Sequence, residues 1–150
     1  EYDITELGYK YNLTDLAASF GIWQFKNVNN WNNKRKLIAE KYLSLLSNVE
    51  GLIITKKVNG HAWHLYIIRF IDHNLRNQAY KFFKSKNILT QIHYIPVYKH
   101  PYYQKNLENF RLPGAEAFYQ SCLSIPMYPD LNYHEQDRVL ETLEIFLTKG

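Results

Sequence analysis

The residues best suited to bind a ligand near the start of the chain lie in the segment Glu6-Leu-Gly-Tyr-Lys-Tyr-Asn-Leu-Thr-Asp15, directly before a predicted helix. Lys10 and Asn12 can donate hydrogen bonds, and Gly8 lets the backbone turn freely. The N–H groups at a helix N-terminus add partial positive charge, so this segment could hold a phosphate. The alternative is an ordinary helix start with Thr14 or Asn12 as the N-cap. Spacing alone leaves both open.

A second candidate lies in Gln91-Ile-His-Tyr-Ile-Pro-Val-Tyr-Lys-His-Pro-Tyr-Tyr103, where a predicted strand runs into a proline-bounded loop. Hydrogen-bonding groups and aromatic rings are concentrated there. This mixture suits a ligand that has a ring to stack and a phosphate or hydroxyl groups to hold. The alternative is a tyrosine-rich loop that only packs. The candidate binding residues are His93, Tyr94, Tyr98 and His100.

Other reactive side chains carry no recognisable pattern. His61 and His64 are three residues apart on a predicted strand, where odd spacing places side chains on opposite faces, so we expect no shared metal ion. Cys122 is the only cysteine, and its flanks carry no nucleophile signature, so we expect a small buried hydrophobic residue. We therefore predict neither a metal site nor a catalytic cysteine.

Composition narrows the class of protein. With 150 residues and 46% hydrophobic content, the chain is long enough for one domain with a real core. The net charge is +4, and the lysine and arginine residues are scattered among acidic ones. The densest basic run, Lys34-Arg-Lys36, is typical of a solvated helix face. We expect no nucleic-acid binding. No apolar run is long enough to span a bilayer and no secretory signal is recognisable, so we expect a cytoplasmic protein without membrane insertion.

The first third of the chain predicts two helices. The first begins at Thr14 and combines large apolar residues with Ala17, Ala18 and Gly21, which indicates burial on more than one side. The asparagine-rich stretch at 27–33 favours a helix end or kink. A second helix then follows and ends near Gly51.

The rest of the chain predicts alternating strands and helices, as in an α+β fold. In order, these are an edge strand at 52–55, a central strand at 61–70, a helix capped by Asn74, a strand at 88–94, loops with short helices over 95–130, among them one at 112–119, and a final helix with an Asn132–Glu135 capping box.

Six segments, taken in order, resemble the C-terminal part of DegT/StrS-type sugar-nucleotide aminotransferases. The resemblance covers essentially the whole chain, and several ordered motifs are far more specific than one. The segments are Gly8-Tyr-Lys-Tyr-Asn-Leu-Thr-Asp15, the small-residue helix after it, Lys34-Arg-Lys-Leu-Ile-Ala-Glu-Lys-Tyr42, His61-Ala-Trp-His-Leu-Tyr-Ile-Ile-Arg69, Gln91-Ile-His-Tyr-Ile-Pro96 and Leu123-Ser-Ile-Pro-Met-Tyr-Pro129.

The resemblance implies a fold and a domain organisation. The chain would be the small C-terminal α+β domain of a fold type I transferase that uses pyridoxal 5′-phosphate. It would have two N-terminal helices, a small, mostly antiparallel sheet and a C-terminal helix. Residues 1–50 would be connecting helices after the turn that binds the cofactor phosphate, and 51–150 the small domain, in one compact unit. The large cofactor-binding domain is missing.

The resemblance also implies an activity. Such enzymes are homodimers that move an amino group from glutamate to a nucleotide-linked 4-keto sugar, for lipopolysaccharide or other surface glycans. The first and fourth segments are most similar to members that make UDP-4-amino-4-deoxy-L-arabinose for lipid A modification. The lysine that binds the cofactor covalently sits in the large domain, so this chain should contain no catalytic residue and be inactive alone. The alternative is a stand-alone module that binds sugar nucleotides or dimerises.

Site residues follow from the matching motifs. In the family, the turn before the first helix reaches the cofactor phosphate of the partner subunit, and many members have asparagine and arginine where this chain has Lys10 and Asn12. Those two residues are therefore the expected phosphate ligands. His93 and Tyr94 correspond to a region that lines the sugar-nucleotide side of the pocket, with Tyr98 and His100 after them.

Overall fold

One long helix, a three-stranded sheet and four further helices make up the computed structural model, which describes residues 8–9, 11–105, 107 and 110–149. The predicted α+β class is confirmed. The elements in chain order are α1 (Asp15–Leu46), β1 (Leu52–Ile54), β2 (Tyr66–Phe70), α2 (His73–Ser85), a 3₁₀ turn (Val97–Lys99), α3 (Pro101–Gln104), α4 (Pro113–Ser121), β3 (Cys122–Ile125) and α5 (Tyr133–Lys149).

The sheet has the order β1-β2-β3, and both pairs are antiparallel. Ile53 lies opposite Arg69, and Ile68 lies opposite Leu123. β1 is therefore an edge strand and β2 the central strand, as predicted for 52–55 and 61–70. The alternate residues of β2, among them Ile68, are fully buried on one face of the sheet.

The core lies between that face of the sheet and α1, α2 and α5. Tyr42 of α1 is completely buried, and its ring lies 4.8 Å from that of Tyr66. Its hydroxyl donates to the carbonyl of Pro126 at 3.0 Å. Gln136 of α5, also buried, donates to the carbonyl of Ile38 at 2.8 Å. These contacts fix the C-terminal half of α1 against the rest of the domain.

The prediction of two N-terminal helices is wrong, because α1 runs unbroken through the asparagine-rich stretch. An asparagine inside a helix costs only about 0.7 kcal/mol or less relative to alanine. Asn27 moreover satisfies its amide within the helix by donating to the carbonyl of Trp23 at 2.9 Å. Burial of Ile38, Ala39 and Tyr42 in the same helix outweighs these small local costs.

The described chain alone does not bury the first helix on more than one side, so its predicted burial by another helix or a partner subunit stays a prediction. Leu16, Phe20 and Trp23 are 69%, 66% and 58% exposed, and Ala17 and Gly21 are exposed as well. The sequence pattern identified an apolar helix correctly. The described residues do not cover it, so the N-terminal half of α1 presents a large apolar surface to solvent.

Two predicted strands differ from the observed ones at their ends. β2 begins only at Tyr66, because Trp63 has a φ of 49° in the left-handed region, which an extended strand does not allow. The predicted strand at 88–94 is reduced to a single antiparallel bridge. Gln91 and Ser124 exchange two backbone hydrogen bonds, of 3.1 and 2.8 Å.

The third strand lies where none was predicted. β3 falls within 95–130, a region whose prolines indicated loops and short helices. A proline disrupts a strand only at its own position, and Pro113 begins α4 while Pro126 follows β3. The predicted helix at 112–119 is confirmed as α4.

The predicted helix caps have mixed outcomes. Asp72 caps α2 in place of Asn74, because its carboxylate accepts from the Asn74 N–H at 2.8 Å. The capping box at the start of α5 is confirmed. The side chain of Asn132 accepts from the Glu135 N–H at 2.9 Å, and the Glu135 carboxylate accepts from the Asn132 N–H at 3.1 Å.

Hydrogen bonds to Glu116 attach the segment after Gln91 to α4. The Tyr98 hydroxyl donates to the Glu116 carboxylate at 3.0 Å and accepts from the Leu112 N–H at 3.2 Å. Lys99 lies 2.7 Å from the same carboxylate. These hydrogen bonds, that from Lys99 first, hold the pKa of Glu116 below its ordinary value of 4.5.

This lowered pKa predicts a pH-dependent stability. A carboxyl group whose pKa is lower in the folded state contributes stability that is present above pH 4.5 and lost as the pH falls through the folded-state pKa. We expect Glu116→Gln to lower the thermal midpoint at pH 7, with the difference from wild type shrinking steadily below pH 4.5. Thermal denaturation followed by circular dichroism across this range tests it. A difference that stays constant with pH contradicts the role of Glu116.

Candidate functional site

The turn before α1 forms the first part of the candidate site. The Thr14 hydroxyl accepts from the Ala17 N–H at 3.2 Å, so Thr14 is the N-cap, and Asp15 lies in the first turn. Asn12 is exposed, and Lys10 lies outside the described residues. The helix start is therefore confirmed, while phosphate binding by Lys10 and Asn12 stays a prediction.

His93 is the most unusual polar residue of the second candidate segment. It is 7% exposed, yet both ring nitrogens lack a hydrogen-bond partner among the described residues. The Cys122 thiol donates to its backbone carbonyl at 2.9 Å and so fixes the residue beside β3. The ring packs edge-on against that of Tyr94, with centroids 4.7 Å apart. Buried polar atoms normally have a hydrogen-bond partner, and a small polar group or a water molecule would supply one here.

The charge state of His93 follows from its surroundings. Burial lowers its pKa below the ordinary 6.5, and the nearby His64 lowers it further. The imidazole is therefore mainly neutral at pH 7. In that form one nitrogen donates and the other accepts, which suits a hydroxyl group better than a permanent anion.

The other predicted site residues lie at different depths. Tyr94 is exposed beside His93, and His100 is exposed at the start of α3. Tyr98 is buried, and its hydroxyl is already engaged by Glu116 and Leu112. The structure therefore brings His93 and Tyr94 together, whereas the hydroxyl of Tyr98 supports the loop.

The prediction missed a strained turn close to this site. Trp63 adopts its left-handed conformation with its N–H donating to the side chain of His61 at 2.8 Å. Arg35 Nη1 donates to the carbonyls of His64 and Met127, each at 3.1 Å. Arg35 was assigned to a solvated basic run, but it is half-buried and holds two segments together. A bulky residue with positive φ leaves no signature in the sequence.

The part of the chain that the structure describes has neither a metal-binding cluster nor a membrane-spanning helix. It contains no group of three or more histidine, cysteine, aspartate or glutamate residues that could hold a metal ion. None of its helices has the length and hydropathy needed to cross a bilayer. Cys122 is buried, as predicted.

The fold of this chain is shared by proteins of known structure. Among solved structures, the chain is similar to the putative sugar aminotransferase Spr1654 from Streptococcus pneumoniae, with a TM-score of 0.86 and 27% identity. The match covers 99% of this chain and 39% of that one. Spr1654 has been solved in apo, PLP and PMP forms.

Two curated proteins are similar to this chain in sequence. The chain is 33% identical over 150 residues to the spore coat polysaccharide biosynthesis protein SpsC of Bacillus subtilis, covering 95% of this chain and 39% of SpsC. It is 40% identical over 137 residues to the uncharacterized protein MJ1066 of Methanocaldococcus jannaschii, covering 87% of this chain and 36% of the relative. The chain thus spans well under half the length of either relative.

The sequence pattern of one protein family matches residues 1–144, which is nearly the whole chain. This match agrees with the order of motifs and with the fold shared with Spr1654. The chain therefore belongs to the DegT/DnrJ/EryC1/StrS aminotransferase family.

Proposed function

We propose that this chain is the small-domain part of a sugar aminotransferase that uses pyridoxal 5′-phosphate. One observation carries the proposal: almost the entire chain superimposes on 39% of Spr1654, a putative sugar aminotransferase solved with PLP and with PMP. The remaining part of such an enzyme would supply the lysine that binds the cofactor. This chain would contribute further residues to the same cofactor-binding site.

The start of α1 fits the phosphate end of that cofactor. Asn12 is exposed two residues before the Thr14 cap, and the partial positive charge at the N-terminus of α1 favours an anion. Lys10 would add a positive charge. Bound pyridoxal phosphate supplies the electron sink on which amino transfer depends, and the residues of this chain would anchor and orient it.

His93 and Tyr94 are the proposed substrate contacts. Both ring nitrogens of His93 lack a partner among the described residues. In the neutral imidazole, one nitrogen can donate to a sugar oxygen and the other can accept from a sugar hydroxyl group. The exposed Tyr94 ring offers an apolar face beside it. Tyr98 holds the loop in place through Glu116, and His100 would lie at the outer end of the same surface.

The exposed half of α1 supports the proposed domain organisation. Residues such as Leu16, Phe20 and Trp23 form an apolar surface that a large domain or a partner subunit would bury. We propose that residues 1–50 connect to that domain, and that 51–150 form the small domain of a homodimer.

Finer features of the activity remain predictions. They comprise a nucleotide-linked 4-keto sugar as acceptor, glutamate as donor, a role in lipopolysaccharide or lipid A modification and a cytoplasmic location. Similarity to the enzymes that make UDP-4-amino-4-deoxy-L-arabinose is a prediction of the same kind. The membership of the family supports sugar amination in general.

A chimaera tests the proposed function. We would replace the matching C-terminal part of Spr1654 with this chain and supply pyridoxal phosphate, glutamate and a panel of nucleotide-linked keto sugars. We expect the chimaera to bind the cofactor through a borohydride-reducible bond to a lysine of the Spr1654 part, and to form an amino sugar detectable by mass spectrometry.

The isolated chain is the control for this experiment. We expect no borohydride-reducible attachment of the cofactor to it, because none of its lysines lies in a matching motif. Specific labelling of one of its lysines contradicts the proposal. Saturable binding of UDP-sugars to the isolated chain, with an inactive but folded chimaera, favours the stand-alone binding module.

His93 provides a test of the substrate contacts. In the chimaera, we expect His93→Ala to lower kcat/KM for the keto sugar about tenfold or more, because hydrogen bonds to the substrate are lost. Cofactor absorbance should be unchanged. The control is His134→Ala, which changes an exposed histidine of α5 and should leave kcat/KM unaltered. Equal effects of the two substitutions contradict the assignment.

A further inference from the structure

A polar groove lies between the middle of α1 and the segment that leads into β2. It encloses about 430 Å³, a volume suited to a small ligand. We call it the asparagine groove. Its polar lining residues are Asn32, Asn33, Lys36, Glu40, Lys57, Asn59 and His61, and Trp63 is among its apolar ones.

The α1 wall of the asparagine groove contains residues that a helix does not favour. The stretch at 27–33 predicted a helix break, yet the helix continues and places Asn32 and Asn33 on the groove. Alanine at either position would make a better helix. Conflicts between local sequence preference and structure are expected at functional sites. Side-chain amides both donate and accept, so they suit a ligand rich in hydroxyl groups.

The opposite wall is strained and firmly held. The strain lies at Trp63, whose φ of 49° is unusual for a bulky residue, whereas Gly60 adopts its φ of 76° without strain. Trp63 is only 4% exposed, stacks on Tyr66 at 5.8 Å, and has its carbonyl within 3.4 Å of Arg35 Nη1. Strained backbone that the surrounding structure holds in place is typical of ligand sites. The wall is therefore preorganised.

The charges on the groove favour one kind of ligand. Lys57 pairs with Glu40 at 3.1 Å, which neutralises both. Lys36 takes part in none of the ion pairs found among the described residues, so the lining carries one uncompensated positive charge. A ligand with one anionic group and several hydroxyl groups complements this lining.

We propose that the asparagine groove binds a sugar phosphate, with Lys36 at the phosphate and the amides of Asn32, Asn33 and Asn59 at the hydroxyl groups. The site needs no cofactor and no amino transfer. It goes beyond the proposed function, and its failure would leave the chimaera experiment unaffected.

Glucose 1-phosphate is the probe, and the chain labelled with ¹⁵N is the reporter. We expect saturable shifts of the side-chain amide signals of Asn32, Asn33 and Asn59. Glucose alone and inorganic phosphate alone should bind at least about threefold more weakly, since each lacks half of the contacts. Absence of saturable shifts at these three amides overturns the proposal, and so does inorganic phosphate that binds as tightly as glucose 1-phosphate.

Alanine substitutions on α1 separate binding from folding. Asn33→Ala should raise the thermal midpoint, because alanine favours the helix, and yet weaken glucose 1-phosphate binding about threefold to tenfold. The matched control, Asn30→Ala, changes an exposed asparagine of the same stretch outside the groove lining. It should raise the midpoint and leave the Kd unchanged. An unchanged Kd for Asn33→Ala, or equal weakening by both, overturns the proposal.

Discussion

The C-terminal half of α1 is anchored to the core, whereas no described residue covers its N-terminal half, and the rest of the structure depends on this difference. Tyr42 packs on Tyr66 and donates to Pro126, while Gln136 holds the carbonyl of Ile38. Because α1 is continuous, these contacts also set the direction in which its first half leaves the domain. That half carries Phe20 and Trp23 into solvent and ends at the Thr14 cap.

The proposed ligand sites depend on that arrangement. Because α1 is continuous, Asn12 lies away from the core, where another part of an aminotransferase would meet it. Arg35 connects the same helix to the carbonyls of His64 and Met127, so the strained Trp63 turn is held against it. His93 lies beside β3, where the Cys122 thiol donates to its backbone carbonyl.

Sequence alone predicted the features that depend on local pattern. The central strand, the Asn132–Glu135 capping box, a helix start capped by Thr14 or Asn12 and the burial of Cys122 each follow from periodicity or from a short-range hydrogen bond. The errors arose where distant contacts decide. Packing of Tyr42 keeps α1 continuous despite its asparagines. Pairing with Ile67 and Ile68 makes residues 122–125 a strand. Arg35 stabilises the positive φ of Trp63, which the residue type does not predict. Among the candidate site residues, His93 and Tyr94 stay predictions, and the sequence did not predict the hydrogen bonds that engage the Tyr98 hydroxyl within the chain.

Hydrogen exchange along α1 tests most directly whether the chain is part of a larger unit. In the isolated chain, we expect slow exchange of the amides at 38–46, which lie on the core, and fast exchange at 18–28, where few tertiary contacts oppose local opening. Joining the chain to the N-terminal part of Spr1654 should slow exchange at 18–28 strongly and change 38–46 little. Equally slow exchange along the whole helix of the isolated monomer would contradict the account.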